Sequence, residues 1–331
     1  MAAPLDGVDV VLVDLDGVVY RGKNAIPHAV ESLNQASEHA RIGFITNNAS
    51  RTDKQVATHL RSLGLDAKPE DVVTSPQAAV RLLRDHAPSG SVILVVGGDG
   101  LVDEVEKAGF VVTRSADDEP AAVIQGFAQD VGWTELAEAS FALSAEDHPD
   151  RPWIATNTDW TIPVDRGIAP GNGTLVSAVH SAVGRLPLVA GKPETAIFET
   201  AVSRFGASHP LFIGDRLDTD IVGANRAGMT SALVLTGIDR GKQVIAADEK
   251  SRPTYLLADL SELDQPYPEA EFSKDRSKVT VRESVVRLRG NAIQIVAAGD
   301  SKIDLLRAGC ALVWGSGHPI YGLDVPEEVY R

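Results

Sequence analysis

The sequence predicts an α/β protein with a doubly wound parallel sheet, and three observations carry that expectation. Short apolar strands alternate with helical stretches along most of the 331 residues. The strands are apolar nearly throughout rather than alternating, as in sheets covered on both faces. Three of them end in polar residues: Asp14 and Asp16, then Thr46 and Asn47, then Asp215.

Val8 to Leu15, interrupted by Asp9, reads as the first buried strand, running into a glycine turn at Gly17. A helix over 28–40 follows. Ile42 to Thr46 is the second strand, followed by a helix near 52–63 that Ser50 or Thr52 can cap and another over 76–84. A second α/β block has strands at 92–96, 122–126 and 153–156 and helices near 101–108 and 174–184. A third block begins at Leu188 and carries helices over 194–205 and 218–228, with strands at 211–215, 231–235 and 255–257. The pattern changes after Pro266, where a boundary falls.

Composition narrows the class. Thirty-one basic against 46 acidic residues give a net charge of −15, which disfavours broad binding to nucleic acid or anionic membranes. One cysteine, Cys310, excludes an internal disulfide framework and a zinc site built from several thiolates. No apolar run approaches the roughly 18 residues of a membrane span, and the first residues lack a signal-peptide pattern, so a cytoplasmic location is expected.

Chemistry follows from the strand ends. In open α/β sheets, ligands bind beyond the carboxyl ends of the strands, so Asp14, Asp16, Thr46, Asn47 and Asp215 would converge, and Lys192, after the Leu188 run, can join them. Two like charges about 4 Å apart cost on the order of 4 kcal/mol at an effective dielectric near 20, so clustered aspartates need a proton or a cation. An all-oxygen site without His or Cys suits Mg²⁺. One carboxylate can attack phosphorus, and a second two residues on can protonate the leaving oxygen and then activate water.

Four segments in order, Asp14-Leu15-Asp16-Gly17, Phe44-Ile45-Thr46-Asn47-Asn48, Gly191-Lys192-Pro193-Glu194 and Gly214-Asp215-Arg216-Leu217-Asp218-Thr219-Asp220, resemble the motifs of haloacid-dehalogenase-superfamily phosphatases. The large insertion, with Asn157-Thr158-Asp159 and Pro170-Gly171-Asn172-Gly173, resembles the type IIA cap of the NagD-like, p-nitrophenyl-phosphatase-like branch. The resemblance implies a Rossmann-like core from 1–77 and 188–264, an inserted α/β cap over 78–187 and a small C-terminal α+β extension over 265–331. It implies Asp14 as nucleophile and Mg²⁺ ligand, Asp16 as acid/base and ligand through its backbone carbonyl, Asp215 as the third protein ligand, and Asp220 behind it. Thr46, Asn47 and Asn48 would bind phosphate and Lys192 would balance its charge.

The activity so implied is Mg²⁺-dependent hydrolysis of small phosphomonoesters through an aspartyl-phosphate. The fused tail resembles that of actinobacterial members acting on glycerol 3-phosphate, which places that substrate ahead of phosphoglycolate, pyridoxal phosphate and nucleoside monophosphates. A phosphotransferase and a non-catalytic phosphometabolite sensor are the rival classes, and the intact Asp14/Asp16 pair argues against the sensor. A homodimer is left open.

Other features divide between active and structural readings. Asn157 and Asp159 either contact substrate or cap a turn. Gly97-Gly98-Asp99-Gly100 reads as a turn in the insertion, since it lacks the spacing of a dinucleotide loop. Arg216 and Asp218 read as a loop brace, Cys310 as core, and His28, His180 and His209 as structural. In the formally neutral extension, Val279 to Leu288 reads as a half-exposed strand and Ala308 to Trp314 as a buried element. Arg287 to Ala292 matches an acetyltransferase pyrophosphate-loop pattern, although about 65 residues are too few for that whole domain.

Overall fold

All five residues of the strand Val10–Asp14 are buried, as expected of a parallel strand covered on both faces. The computed structural model describes residues 2–144, 149–164 and 166–331. The chain divides into two compact units, Met1–Ile42 with Ser208–Arg331, and Gly43–Ala207.

In the first unit Val10–Asp14 pairs in parallel with Pro210–Gly214, with Val13 opposite Ile213. Thr230–Val234 and Tyr255–Leu257 extend the sheet, also in parallel. Parallel neighbours finish at the same edge, so the residues following Val13 and Ile213 emerge side by side. Helix Ala29–Ala36 is shorter than the expected 28–40. Where one helix over 218–228 was expected, a π-helical turn, Leu217–Ile221, runs into the short helix Val222–Arg226.

The extension packs onto this unit. Its strands Glu271–Phe272, Lys278–Val281, Ser284–Arg289 and Ala292–Ala297 form an antiparallel sheet. The single strand expected over 279–288 is two, joined at Arg282-Glu283, where Arg282 adopts φ 49°. The Arg287–Ala292 pattern lies in the next hairpin, with Gly290 and Asn291 as its two-residue turn, so it opens no helix. Ala308–Trp314 falls entirely within helix Lys302–Gly315, which Ser301 caps. Leu306, Leu312 and Val313 of that helix share one buried cluster with Leu233, Val244 and Ile245.

The second unit takes in strand Arg41–Thr46 from Gly43 onward, paired in parallel with Val72–Thr74, and a five-stranded parallel sheet. That sheet runs Leu188–Val189, Trp153–Ala155, Ala122–Gln125, Val92–Val96, Val111–Thr113. Thr52 and Thr74 cap the helices Asp53–Ser62 and Ser75–His86, each in a reciprocal capping box with a glutamine three residues on. Helix Trp133–Leu143 carries no clear amphipathic signal and was not expected from the sequence; its Trp133 and Phe141 are exposed.

Candidate active site

Asp14 ends its strand and Asp215 follows directly on the adjacent parallel one, which is why two residues 201 positions apart meet. The π-helical turn brings Asp220 back to them. One oxygen from each of Asp14, Asp215 and Asp220 lies within 4.8 Å of the others, and all three residues are buried. Each like-charge pair at that distance costs on the order of 3 kcal/mol at an effective dielectric near 20. The cluster therefore favours a hard cation, and oxygen donors such as these carboxylates fit Mg²⁺.

Two glycines make room for Asp215. A Cβ at Gly237 would collide with its carboxylate, as would one at Gly17, whose φ is +90°. The Asp215 Oδ2 accepts the Ile238 N–H at 2.6 Å. Asp220 braces the loop, its Oδ2 accepting the N–H groups of Asp215 and Arg216, both at 3.1 Å. Gly214 is required beside it, since an added Cβ would meet the Asp220 side chain.

Asp16 stands outside this trio. It is exposed on a tight turn in which the N–H of Gly17 reaches the Tyr20 carbonyl at 2.9 Å and that of Val19 reaches the Leu15 carbonyl, also at 2.9 Å. An exposed carboxylate two residues beyond a buried one suits proton transfer.

In the second unit, the strand ending at Thr46 leads into a hydrogen-bonded knot around Asn47. The Asn47 Oδ1 accepts the Lys192 N–H at 2.8 Å, and its Nδ2 donates to the Lys192 carbonyl at 3.1 Å and to both Asp159 carboxylate oxygens at 3.2 Å. Asn157 Nδ2 donates to the Asn47 carbonyl at 2.8 Å, while Asn157 Oδ1 accepts the Asp159 N–H at 3.1 Å. Asn172, at the start of helix Asn172–Val183, donates to the Asn157 carbonyl at 2.7 Å. The Asn157 Oδ1 bond to the Asp159 N–H makes a local turn of the kind the sequence offered beside substrate contact.

Thr46 and Lys192 are buried. The Thr46 Oγ1 accepts the Asn48 N–H at 3.1 Å. Asn48 itself is exposed and turns the chain, its Oδ1 accepting from the Ser50 N–H and hydroxyl at 2.9 and 2.8 Å. Gly191 admits the close passage of Thr156 and Asn47, which a Cβ would meet at 2.5 and 2.6 Å.

The structural readings hold for several residues. Arg216 grips Asp218 through two hydrogen bonds, at 3.0 and 2.8 Å. Cys310 is buried, and burial pushes its thiol pKa up. Gly97 and Gly98 form a turn before helix Asp99–Lys107. His180 Nδ1 lies 2.7 Å from the Arg185 carbonyl.

Sequence reasoning missed Asp239, whose Oδ2 accepts the Leu217 N–H at 2.6 Å and whose own N–H donates to the Asp215 carbonyl at 3.1 Å. Burial raises its pKa, against the opposing hydrogen bond from Leu217. No motif marked it, because its partners lie more than twenty residues away.

Comparison with known proteins shows the family of the chain. The model for the haloacid dehalogenase-like hydrolases matches residues 11–111, and a HAD-hydrolase-like model matches 189–263. The D-glycerol 3-phosphate phosphatase of Mycobacterium tuberculosis is 40% identical over 314 residues, covering 92% of this chain and 86% of that protein. The crystal structure of a glycerol phosphate phosphatase from the same organism, in complex with magnesium, aligns with a TM-score of 0.87 at 39% identity. That alignment covers 98% of this chain and 96% of the other. The 4-nitrophenylphosphatase of Thermotoga maritima aligns with a TM-score of 0.72 at 28% identity, over 80% of this chain and 98% of that one.

Proposed function

The chain belongs to the haloacid dehalogenase-like hydrolases and is a phosphoric monoester hydrolase, and from that premise we propose that it cleaves glycerol 3-phosphate to glycerol and phosphate with Mg²⁺. The observation that carries this reading is the buried Asp14, Asp215 and Asp220 trio with exposed Asp16 two residues beyond the first.

In this reading an Asp14 carboxylate oxygen attacks phosphorus, and the bond to the ester oxygen breaks as Asp16 gives that oxygen a proton. Asp16, now a carboxylate, takes a proton from water as that water attacks the phosphorus of the aspartyl-phosphate. Phosphate leaves and both aspartates return to their starting states. Asp14, the Asp16 carbonyl and Asp215 would hold Mg²⁺, which when bound supplies the positive charge that lets an anionic nucleophile approach a phosphate. Asp220 fixes the loop that bears Asp215. Lys192 and Thr46 would bind phosphoryl oxygens, and Asn47, with Asn157 and Asp159, holds the Lys192 backbone.

The proposed division is a core over 1–77 and 188–264, a substrate-covering cap over 78–187 and the extension over 265–331. Among the described residues no helix is long and apolar enough to cross a membrane. We place the enzyme in the cytoplasm, acting on a small soluble ester rather than on nucleic acid or a membrane, and a homodimer accords with this reading. The choice of glycerol 3-phosphate is supported by the names of the mycobacterial relatives.

The test is a phosphate-release screen of small phosphomonoesters, with Mg²⁺ and with EDTA. Glycerol 3-phosphate should show the highest kcat/KM, and EDTA should stop the reaction. A higher value for phosphoglycolate or pyridoxal phosphate would replace the substrate, and metal-independent turnover would overturn the mechanism.

A further inference from the structure

The turn between strand Thr230–Val234 and helix Gly241–Ile245 does more than connect them. It touches the Asp215 loop at three points: Ile238 N–H on the Asp215 carboxylate, Asp239 N–H on the Asp215 carbonyl, and the Asp239 carboxylate on the Leu217 N–H. It reaches the Asp16 turn as well, since the Thr236 hydroxyl donates to the Gly17 carbonyl at 2.7 Å and Arg21 donates to the Thr236 carbonyl at 2.6 Å. Side chain, backbone and downstream loop of one proposed metal ligand are thus held by a single short segment.

Placing a further carboxylate here is electrostatically unfavourable. Asp239 is half-buried, with the like charges of Asp218 and Asp220 acting on it against the opposite charge of Arg216. An acid kept at such a position needs a specific return, and the hydrogen bond to Leu217 N–H is the one the geometry offers.

The turn is itself backed by the extension. It leads straight into helix Gly241–Ile245, whose Val244 and Ile245 are buried with Leu306 and Val329. A Cβ at Gly241 would collide with the Tyr330 carbonyl, and one at Gly309 with Val329, so the last residues of the chain lie directly against the helix start.

We propose that Asp239 is a positioning residue that sets the Asp215 carboxylate for metal binding, and that the C-terminal extension keeps it in place through helix Gly241–Ile245. The proposal rests on the metal-site reading given above. It assigns the extension a role in the site of the same molecule.

The test is Mg²⁺ binding by calorimetry on metal-stripped full-length protein, beside the thermal midpoint without metal. Asp239→Ala should raise the Mg²⁺ dissociation constant about tenfold, the scale of one charge-assisted hydrogen bond. Asp239→Asn, whose Oδ1 can still accept the Leu217 N–H, should stay within about threefold of wild type. A purely structural residue would lower the midpoint in Asp239→Ala and leave Mg²⁺ affinity unchanged, which would overturn the proposal. Equal losses in the Ala and Asn variants would overturn it too, by making charge rather than position the cause. Gly241→Ala, an otherwise favourable change at a first helical position, should weaken Mg²⁺ binding through the clash with Tyr330; unchanged affinity would remove the extension from the device. Failure of the wild type to bind Mg²⁺ would instead overturn the metal-site reading.

Discussion

The side-chain amide of Asn47 closes a two-way hydrogen-bonded link with the backbone of Lys192, accepting its N–H at 2.8 Å and donating to its carbonyl at 3.1 Å. Two motifs 145 residues apart are thereby fixed to each other, and the position of the lysine depends on an asparagine that looks, in sequence, like a phosphate ligand.

Asn47→Ala removes that link and the bonds to Asp159. Misplacement of a charge-balancing group by about 1 Å costs on the order of a hundredfold in rate, so kcat/KM should fall by about that factor. Steady-state kinetics at saturating Mg²⁺ check this, with circular dichroism confirming the fold. A loss confined to KM would point to plain phosphate binding.

Asp14→Asn should reduce turnover to below about one per cent, because an amide is no nucleophile toward phosphorus. Asp16→Asn should discriminate between esters: hydrolysis of glycerol 3-phosphate should fall far more than that of p-nitrophenyl phosphate, whose leaving group departs without a proton. Equal losses on the two substrates would count against Asp16 as the acid.

Arg307 fastens the extension. Its guanidinium donates to the Leu256 carbonyl at 3.0 and 2.7 Å, pairs with Asp304 at 2.8 Å and Glu262 at 3.1 Å, and lies 4.7 Å from the Tyr267 ring centre. Arg307→Ala leaves Asp304 buried with the exposed Arg282 as its remaining ion-pair partner among the described residues, and breaking such a network costs roughly 3–5 kcal/mol. Thermal unfolding should show a midpoint several degrees lower.

Asp9 gives a pH dependence with a definite sign. Its carboxylate accepts the N–H of Ser208 at 2.6 Å and of His209 at 2.9 Å, and chiefly the Ser208 bond lowers its pKa below 3.8. The folded pKa lies below the unfolded one, so the stabilisation is complete above the unfolded value and fades as pH falls through the folded one. The gap in thermal midpoint between wild type and Asp9→Ala should be widest near neutral pH, narrow as pH falls below the unfolded pKa, and close once pH is below the folded one. A gap that persists in acid would assign it to lost packing.

Strand residues and motif order were legible because they are local. Val10–Val13 and Leu211–Ile213 are apolar runs, and the polar residues that end them mark the sheet edge whatever else the chain does. The hairpin at Arg282-Glu283 was not legible, since two charged residues replace the usual glycine or asparagine and the alternation resumes beyond them. Nor was helix Trp133–Leu143, whose exposed aromatics blur its periodicity.

The sequence by itself determined the chemistry on offer: an Asp14/Asp16 pair at a strand end, a lysine after a glycine, and aspartates spaced five apart in a loop. Those choices depend on residue type and short spacing, which the chain states directly. Only the tertiary structure decided that Asp16 stands exposed, that Asn47 ties down Lys192, and that Asp239 grips the Asp215 loop. A hydrogen bond requires two groups about 3 Å apart in the right direction, and for residues separated by twenty to a hundred and fifty positions that is a property of packing, not of spacing.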